Sequence, residues 1–152
     1  MSDLPDVTIV MTTYFTDQER ITLAEKALRS WENFLCYSAY NYINLHIADD
    51  GSTLDWDIVD IWPGGNVSYS HQERKGVGAS LNAGFKKAFE TSPIVLYAVD
   101  DWKLMYDIDI THWVKVLMER EDVGMVRLGP PHPNIRGSVE AFSEHWNTWG
   151  YG

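Results

Sequence analysis

Two adjacent carboxylates follow an apolar stretch of the chain. Asp100 and Asp101 come directly after Val95–Val99, which reads "VLYAV". Neighbouring anions repel each other, and burying either is costly unless a cation or a hydrogen-bond donor meets it. Mg²⁺ and Mn²⁺ take oxygen ligands, and phosphates and water often complete a set that one or two carboxylates begin. The pair therefore predicts a site for a metal-bound diphosphate. The structural alternative is that one acid caps a turn and the other is solvated.

Two further polar clusters carry residue types suited to a nucleotide. In Asp49-Asp50-Gly51-Ser52, an acid can accept hydrogen bonds from a base or a ribose hydroxyl, although Asp-Gly is also a common turn. Glu73–Gly78 offers two cations, then glycines, then a helix start. Arginine and helix N-termini both favour phosphate. The P-loop pattern is absent, and no G-x-G-x-x-G follows the first predicted strand.

Strand and helix patterns alternate along the chain and bring these clusters to one edge. Strands are predicted at 7–12, 43–52, 66–72, 93–99 and 123–129. One helix is predicted after the capping-box pattern Thr16-Asp17-Gln18-Glu19, and further helices at 54–62, 76–90 and 110–118. This alternation predicts an α/β fold with a mostly parallel central sheet flanked by helices. Ligands of such sheets bind at the carboxyl ends of the strands. Thr12-Thr13-Tyr14 ends the first strand, and each other cluster follows a later one.

Length and charge exclude several classes of function. The 152 residues suffice for one compact domain, and the net charge of -10 argues against general binding to nucleic acid or anionic membranes. The single cysteine, Cys36, cannot form an internal disulfide. The sequence shows neither a signal-peptide pattern nor an apolar run of about 20 residues that would span a membrane. A cytoplasmic protein is therefore expected.

Four motifs, in this order and spacing, resemble the nucleotide-binding half of inverting family-2 glycosyltransferases of the GT-A fold. They are "VTIVMTTY", "IADDGST", "RKGVGASLNAGFKKA" and "VLYAVDDW". Members of that family combine a polar-Tyr turn, a "DDGS" turn, an Arg and a Gly before a helix with Asn-x-Gly, and an acidic "DxD"-type motif. The resemblance implies a single GT-A-like domain over 1–152. Its nucleotide-sugar-binding core would cover 7–129, and a short acceptor-side or interface tail would cover 130–152.

The resemblance also implies a role for each matching residue. Thr12, Thr13 and Tyr14 would line the nucleotide pocket, and Asp50 would contact the base or ribose. The sugar-diphosphate cleft would be shaped by Arg74, Gly76 and Asn82. Asp100 would meet the ribose or phosphates. Asp101 would hold Mg²⁺ or Mn²⁺. The implied reaction moves a hexose-like sugar from a UDP- or GDP-type donor to a hydroxyl acceptor with inversion. The metal would act as a Lewis acid on the leaving diphosphate, and a carboxylate or other base would deprotonate the acceptor.

Two departures from the family pattern bear on catalysis. Val99 and Trp102 flank the acid pair where the family usually carries a third acid. Few residues follow the pair, so the base is expected to be Glu140, Glu144 or His145, or to be missing. The tail segment "FSEHWNTWGYG" is rich in aromatic residues that would stack on an acceptor sugar, or cover the sheet or a subunit interface. Self-association is a further expectation from the same segment.

A metal-assisted glycosyltransferase is the leading hypothesis. Nucleotidyl transfer on the same fold would call for a glycine-rich, Lys/Arg-bearing loop after the first strand, and "TTYFTDQER" contains no glycine. A non-catalytic module that binds a nucleotide-sugar or serves in assembly is the alternative from another class.

Overall fold

Strands and helices alternate along the chain, as the sequence predicts. The computed structural model describes residues 4–38, 43–57, 62, 65–126 and 128. Its elements are β1 (Val7–Thr13), α1 (Gln18–Phe34), β2 (Leu35–Cys36), β3 (Ile43–Asp49), β4 (Val67–His71), α2 (Val77–Ala88), β5 (Ile94–Val99), β6 (Ile108–Asp109) and α3 (Thr111–Glu119). The predicted α/β class, with helices flanking a parallel sheet, is confirmed.

The main sheet has four parallel strands in the order β4-β3-β1-β5. All seven residues of β1 are buried. Burial on both faces explains why "VTIVMTT" is mostly β-branched and apolar rather than alternating with charged residues. The chain runs from β1 outward to β3 and β4, then returns to place β5 on the other side of β1. The strand order therefore reverses between β1 and β5, which is a topological switch point of the kind that binds ligands in Rossmann-like folds.

Helices cover the two faces of this sheet. Leu28 and Trp31 of α1 belong to one apolar cluster with Ile9, Met11 and other buried residues of the sheet, together with Ile110 and Val114 from the α3 region. On the opposite face, α2 packs against the sheet through a smaller cluster that contains Val10, Ala48 and Ala88.

A glycine sets how closely α2 approaches the sheet. A Cβ built on Gly84 would lie 2.7 Å from Val10 Cγ1 and 2.9 Å from Ala48 Cβ, so there is no room for even a methyl group. The helix can therefore lie this close to the sheet only because position 84 has no side chain.

A helix cap, a predicted helix and a predicted strand differ from the structure. The cap of α1 is Asp17 rather than Thr16, because the Asp17 carboxylate accepts a hydrogen bond from Arg20 N at 2.9 Å. The helix predicted at 54–62 is absent from 54–57, and 58–61 lie outside the described residues.

The strand predicted at 123–129 is also wrong over its described part. Residues 123–126 form no strand and follow a turn that the hydrogen bond from Val123 N to Arg120 O closes. They line an apolar groove of about 260 Å³ between β5 and α3 instead of pairing with the sheet.

Candidate functional site

The parallel register brings the predicted residues level at one edge of the sheet. Thr13 pairs with Asp49 across β1 and β3, and Thr12 pairs with Val99 across β1 and β5. Asp50 and Asp100 are the next residues along β3 and β5. The turn after β1, the "DDGS" turn and the acid pair therefore flank the switch point, and we call this edge the carboxyl rim.

Asp50 holds the loop that leads into α2. Its side chain is buried, with 6% of the residue exposed, and it accepts hydrogen bonds from Gln72 Nε2 and Lys75 N, each at 2.9 Å. Gly76 N donates to both carboxylate oxygens, at 3.2 and 2.9 Å. The Lys75 backbone bond, with those of Gln72 and Gly76 and the nearby Arg74 charge, holds the pKa of Asp50 below its ordinary value despite burial. The carboxylate is ionised and already well supplied with donors.

Gly51 joins the "DDGS" turn to the Arg74 loop. Its φ is +86°, a conformation that favours glycine, and a Cβ there would lie 2.9 Å from Arg74 N and 3.2 Å from Gln72 O. Two motifs that the sequence treats as separate are therefore one unit, held together by the Asp50 bonds and by this close backbone contact.

Arg74 and Tyr14 form a planar, positively charged platform on the rim. Arg74 Nη1 donates to the Tyr14 hydroxyl at 3.0 Å, and the guanidinium carbon lies 4.3 Å from the centre of the tyrosine ring. Arg74 is exposed and Tyr14 is half-buried. A cation over an aromatic face is a favourable pair, and both groups can stack on a flat ligand.

The N-terminus of α2 opens beside this platform. Gly76 is its N-cap with φ +94°, and no side chain of the described residues caps the helix. The first-turn amides and the exposed Lys75 therefore favour an anion here. Asn82 lies on the exposed side of α2, and its side chain makes no hydrogen bond with any other residue that the structure describes. The hydrogen bonds that link other predicted site residues in the described part of the chain therefore do not include Asn82.

The acid pair meets a cation that the sequence motifs do not reveal. Arg20 Nη2, from the first turn of α1, lies 3.1 Å from both carboxylate oxygens of Asp100. Arg20 Nη1 lies 3.8 Å from Asp101 Oδ2. Asp100 is buried, with 4% exposed, and this burial raises its pKa above the ordinary value. The Arg20 charge opposes that rise and the Asp101 charge adds to it.

Helix α1 also holds the turn that carries the acids. Trp102 N donates to Val99 O at 3.1 Å, which closes the turn around both aspartates. The indole N–H of Trp31 donates to Trp102 O at 2.7 Å, and Ser30 Oγ accepts from Leu104 N at 2.9 Å. The structural alternative, in which one acid caps a turn and the other is solvated, is partly met. Asp101 is half-exposed, but Asp100 is buried against a guanidinium.

The acid pair does not form a ready-made metal site. Among residues 4–38, 43–57, 62, 65–126 and 128, no group of three or more His, Cys, Asp or Glu side chains is arranged to hold a metal ion. Both oxygens of Asp100 are engaged by Arg20, which leaves Asp101, with 44% of its side chain exposed. A divalent ion held by both acids therefore does not fit this arrangement. Metal binding at Asp101 stays a prediction.

Thr12 and Thr13 are both buried, and their hydroxyls bond to neighbouring strands. Thr12 Oγ1 lies 3.3 Å from the Tyr97 hydroxyl, and Thr13 Oγ1 donates to Asp49 Oδ1 at 2.8 Å. The threonines therefore stabilise the rim from below, and Tyr14 is the residue of this trio that is more open to a ligand.

Asp49 is the centre of a second polar network. Its carboxylate accepts from Ser52 N at 2.9 Å, from the Ser52 hydroxyl and from Thr13, and it lies 2.7 Å from His71 Nδ1. Burial alone would raise the pKa of Asp49, but these bonds together hold it below the ordinary value. Sequence reasoning missed His71, whose only signal is its place at the end of a predicted strand.

A cavity of about 150 Å³ lies beside this network. It is lined by Asp49 and His71 and by the aromatic rings of Phe15, Trp56 and Tyr69, among others. Phe15 and Trp56 pack edge to face, with ring centres 5.2 Å apart. The buried indole N–H of Trp56 has no acceptor among the residues that the structure describes.

The three predicted base candidates, Glu140, Glu144 and His145, lie outside the described residues, so their roles stay predictions.

Comparison with known proteins adds no family assignment. The chain matches no protein-family model, and no curated protein matches it. Within the described part of the chain, no helix is both long enough and apolar enough to cross a membrane. The function of the chain is therefore inferred from its four sequence motifs and from the rim on which they lie.

Proposed function

We propose that this chain is a GT-A-type glycosyltransferase that moves a sugar from a nucleotide diphosphate to a hydroxyl acceptor with inversion. The observation that carries the proposal is the meeting of four motif ends at the rim around the β1–β5 switch point. Each motif alone is degenerate, but a shared edge of a parallel sheet is where such folds bind ligands.

The rim offers groups for each part of a nucleotide donor. The Tyr14–Arg74 platform suits a flat base, which stacks on aromatic and guanidinium faces. Lys75 and the first-turn amides of α2 suit phosphate. Neighbouring strands lie about 4.8 Å apart, so the ends of β3 and β5 are separated by about 10 Å, a span that a nucleoside diphosphate can bridge. The acid pair then lies where the diphosphate of the donor, with its attached sugar, would reach.

The chemical step needs two contributions from the chain. Positive groups at the rim would stabilise the charge that develops on the leaving diphosphate, which is the usual role of preorganised donors and cations. A base would remove the proton from the acceptor hydroxyl, and Glu140, Glu144 and His145 are the candidates for that role.

The test combines binding with turnover. Thermal unfolding of the chain with UDP- and GDP-sugars should show stabilisation, and sugar release should be measured in the same samples with and without Mn²⁺. Arg74→Ala should reduce the stabilisation because it removes half of the platform, whereas Arg29→Ala, an exposed change on α1, should leave it unchanged. Stabilisation without sugar release would instead support the non-catalytic nucleotide-sugar-binding module. No stabilisation by any nucleotide would contradict both.

A further inference from the structure

We propose that Arg20 serves as the cation of the acid pair and binds the donor diphosphate itself, so that nucleotide binding by this chain needs no divalent metal ion. This inference rests on the proposed function, since it names how the same rim binds its donor.

Arg20 is fixed in place by a buried anchor. Its Nη2 lies 3.1 Å from each oxygen of Asp100, and Asp100 is almost fully buried at the end of β5. The acidic turn is in turn tied to α1 through the bond from Trp31 to Trp102 O. The guanidinium is therefore anchored at the switch point through Nη2, and less side-chain entropy is lost when it binds a ligand than for an unpaired arginine.

Part of the guanidinium remains open to a ligand. Asp100 engages only Nη2, and the contact of Nη1 with Asp101 is a long 3.8 Å. About 40% of the Arg20 side chain is exposed. Nε and Nη1 can therefore donate to a second anion, and the fork of an arginine suits phosphate oxygens. A phosphate would replace the weak contact with Asp101, which is half-exposed and free to turn toward solvent.

The same geometry opposes a metal ion held between the two acids. Such an ion would have to displace Arg20 from Asp100, which would leave a guanidinium without its buried partner beside a divalent cation. The guanidinium and the metal ion would repel each other, and this repulsion is stronger in a partly desolvated site than in water. Arg74, Lys75 and the N-terminus of α2 supply the remaining positive charge that a diphosphate requires.

The decisive measurement is calorimetric titration of UDP and GDP into the full chain, in EDTA and again in Mn²⁺. For whichever nucleotide binds, we expect the dissociation constants measured in the two buffers to agree within about threefold, because the cation that binds the diphosphate belongs to the protein. Arg20→Ala should weaken binding in EDTA roughly ten- to a hundredfold, the effect of losing charge-assisted hydrogen bonds. Arg20→Lys keeps the charge and loses the forked donor geometry, so its affinity should lie between those of the unmodified chain and of Arg20→Ala.

Controls separate this inference from the proposed function and from misfolding. Arg29→Ala lies on the same helix, is exposed and should bind as the unmodified chain does. Circular dichroism melts should verify that each variant is folded. If Arg20→Ala does not fold, the affinity of Arg20→Lys and the comparison of the two buffers still test the inference. Binding that requires Mn²⁺ and is insensitive to Arg20 would overturn this inference while supporting the proposed function. No nucleotide binding in either buffer would overturn the proposed function itself.

Discussion

Among single residues, Asp50 shows how a ligand-like motif can first serve the fold. The "DDGS" motif suggests a carboxylate waiting for a base or ribose, yet its oxygens accept from Gln72, Lys75 and Gly76. The sequence predicts that Asp50 ends a strand at the rim. It does not predict these partners, because they belong to the loop after β4 and depend on β4 lying beside β3.

We expect Asp50→Asn to lower the free energy of unfolding by about 1–3 kcal/mol, the usual cost of a buried unsatisfied group. The amide can replace one acceptor, but its nitrogen would put a donor against the Gly76 N–H. Urea denaturation measures the change. Asp55→Asn, at an exposed position of the neighbouring loop, should change stability by less than about 0.5 kcal/mol. Equal stability of the two variants would show that the Asp50 bonds contribute little.

The acid pair shows a need that the sequence indicates and a partner that it does not identify. Adjacent aspartates after an apolar strand correctly indicate that a cation is needed, and the structure provides Arg20 at 3.1 Å. The sequence offers little to identify that arginine, since it is one of several cations on a helix. Only the packing of α1 beside the end of β5 selects it.

Within the elements, α2 illustrates a motif whose reason becomes visible only in packing. The sequence places Leu81, Phe85, Ala88 and Phe89 on one apolar stripe of this helix. The first three pack against the sheet, whereas Phe89 is 56% exposed. The Asn-x-Gly pattern of the family resemblance includes Gly84, and that glycine lies where the helix meets Val10 and Ala48. Its position is explained by the close approach of helix and sheet. This approach also sets where the N-terminus of α2 sits on the rim.

We expect Gly84→Ala to destabilise the chain by about 1–3 kcal/mol, because the new methyl group would overlap β1 and β3 side chains in a packed layer. Gly78→Ala is the matched control in the same helix, since a Cβ there would meet no atom of the described residues within 4 Å. Alanine has the higher helix propensity, so that control should be neutral or stabilising by up to about 1 kcal/mol. Thermal or urea unfolding of both variants checks the difference. A Gly84 variant as stable as the control would mean that α2 can move away from the sheet without loss.

Most elements were predictable because periodicity reports which face is buried. The strands and helices that pack on both sides of the sheet lie close to their predicted positions. The strand expected at 123–129 was predicted wrongly over its described part, because a short apolar run such as "VGMV" has the same pattern whether it pairs with a strand or lines a groove. The shift of the α1 cap from Thr16 to Asp17 is of the same kind, since both residues are good caps and only geometry chooses.

For the molecule as a whole, buried titratable groups couple the fold to pH. His46 is buried, and its ring nitrogens lie 2.7 and 3.0 Å from the hydroxyls of Ser68 and Ser70. Burial, with a smaller contribution from the Lys87 charge, lowers the pKa of His46 below 6.5. Asp49 and Asp50 also have lowered pKa values, whereas that of Asp100 is raised.

These directions predict two separate losses of stability on acidification. Below about pH 6.5 the unfolded chain binds a proton at position 46 that the folded state resists, so stability falls as the pH falls. Below about pH 3.8 the carboxylates of Asp49 and Asp50 lose their bonds to donors, and stability falls again. Protonation of Asp100 acts in the opposite direction, because neutralising that buried acid relieves a desolvation cost.

The first loss can be assigned to one residue. Unfolding free energies at pH 7.5, 6.5 and 5.5 should decline in the unmodified chain and decline less in His46→Gln, whose amide stays neutral. His112→Gln, at an exposed position of α3, should keep the original pH dependence. Identical slopes in all three proteins would assign the loss to other groups.

The arrangement of four strands has a consequence for how the chain is made. Val7 pairs on one side with Ile43 and on the other with Ile94. During synthesis the N-terminal strand therefore emerges well before the neighbour that completes its burial. Until β5 leaves the ribosome, an apolar, β-branched segment with an unpaired side is open to wrong partners. A nascent chain that stalls before that strand should be a target for holdase chaperones, and its release from them should follow the arrival of Ile94–Val99.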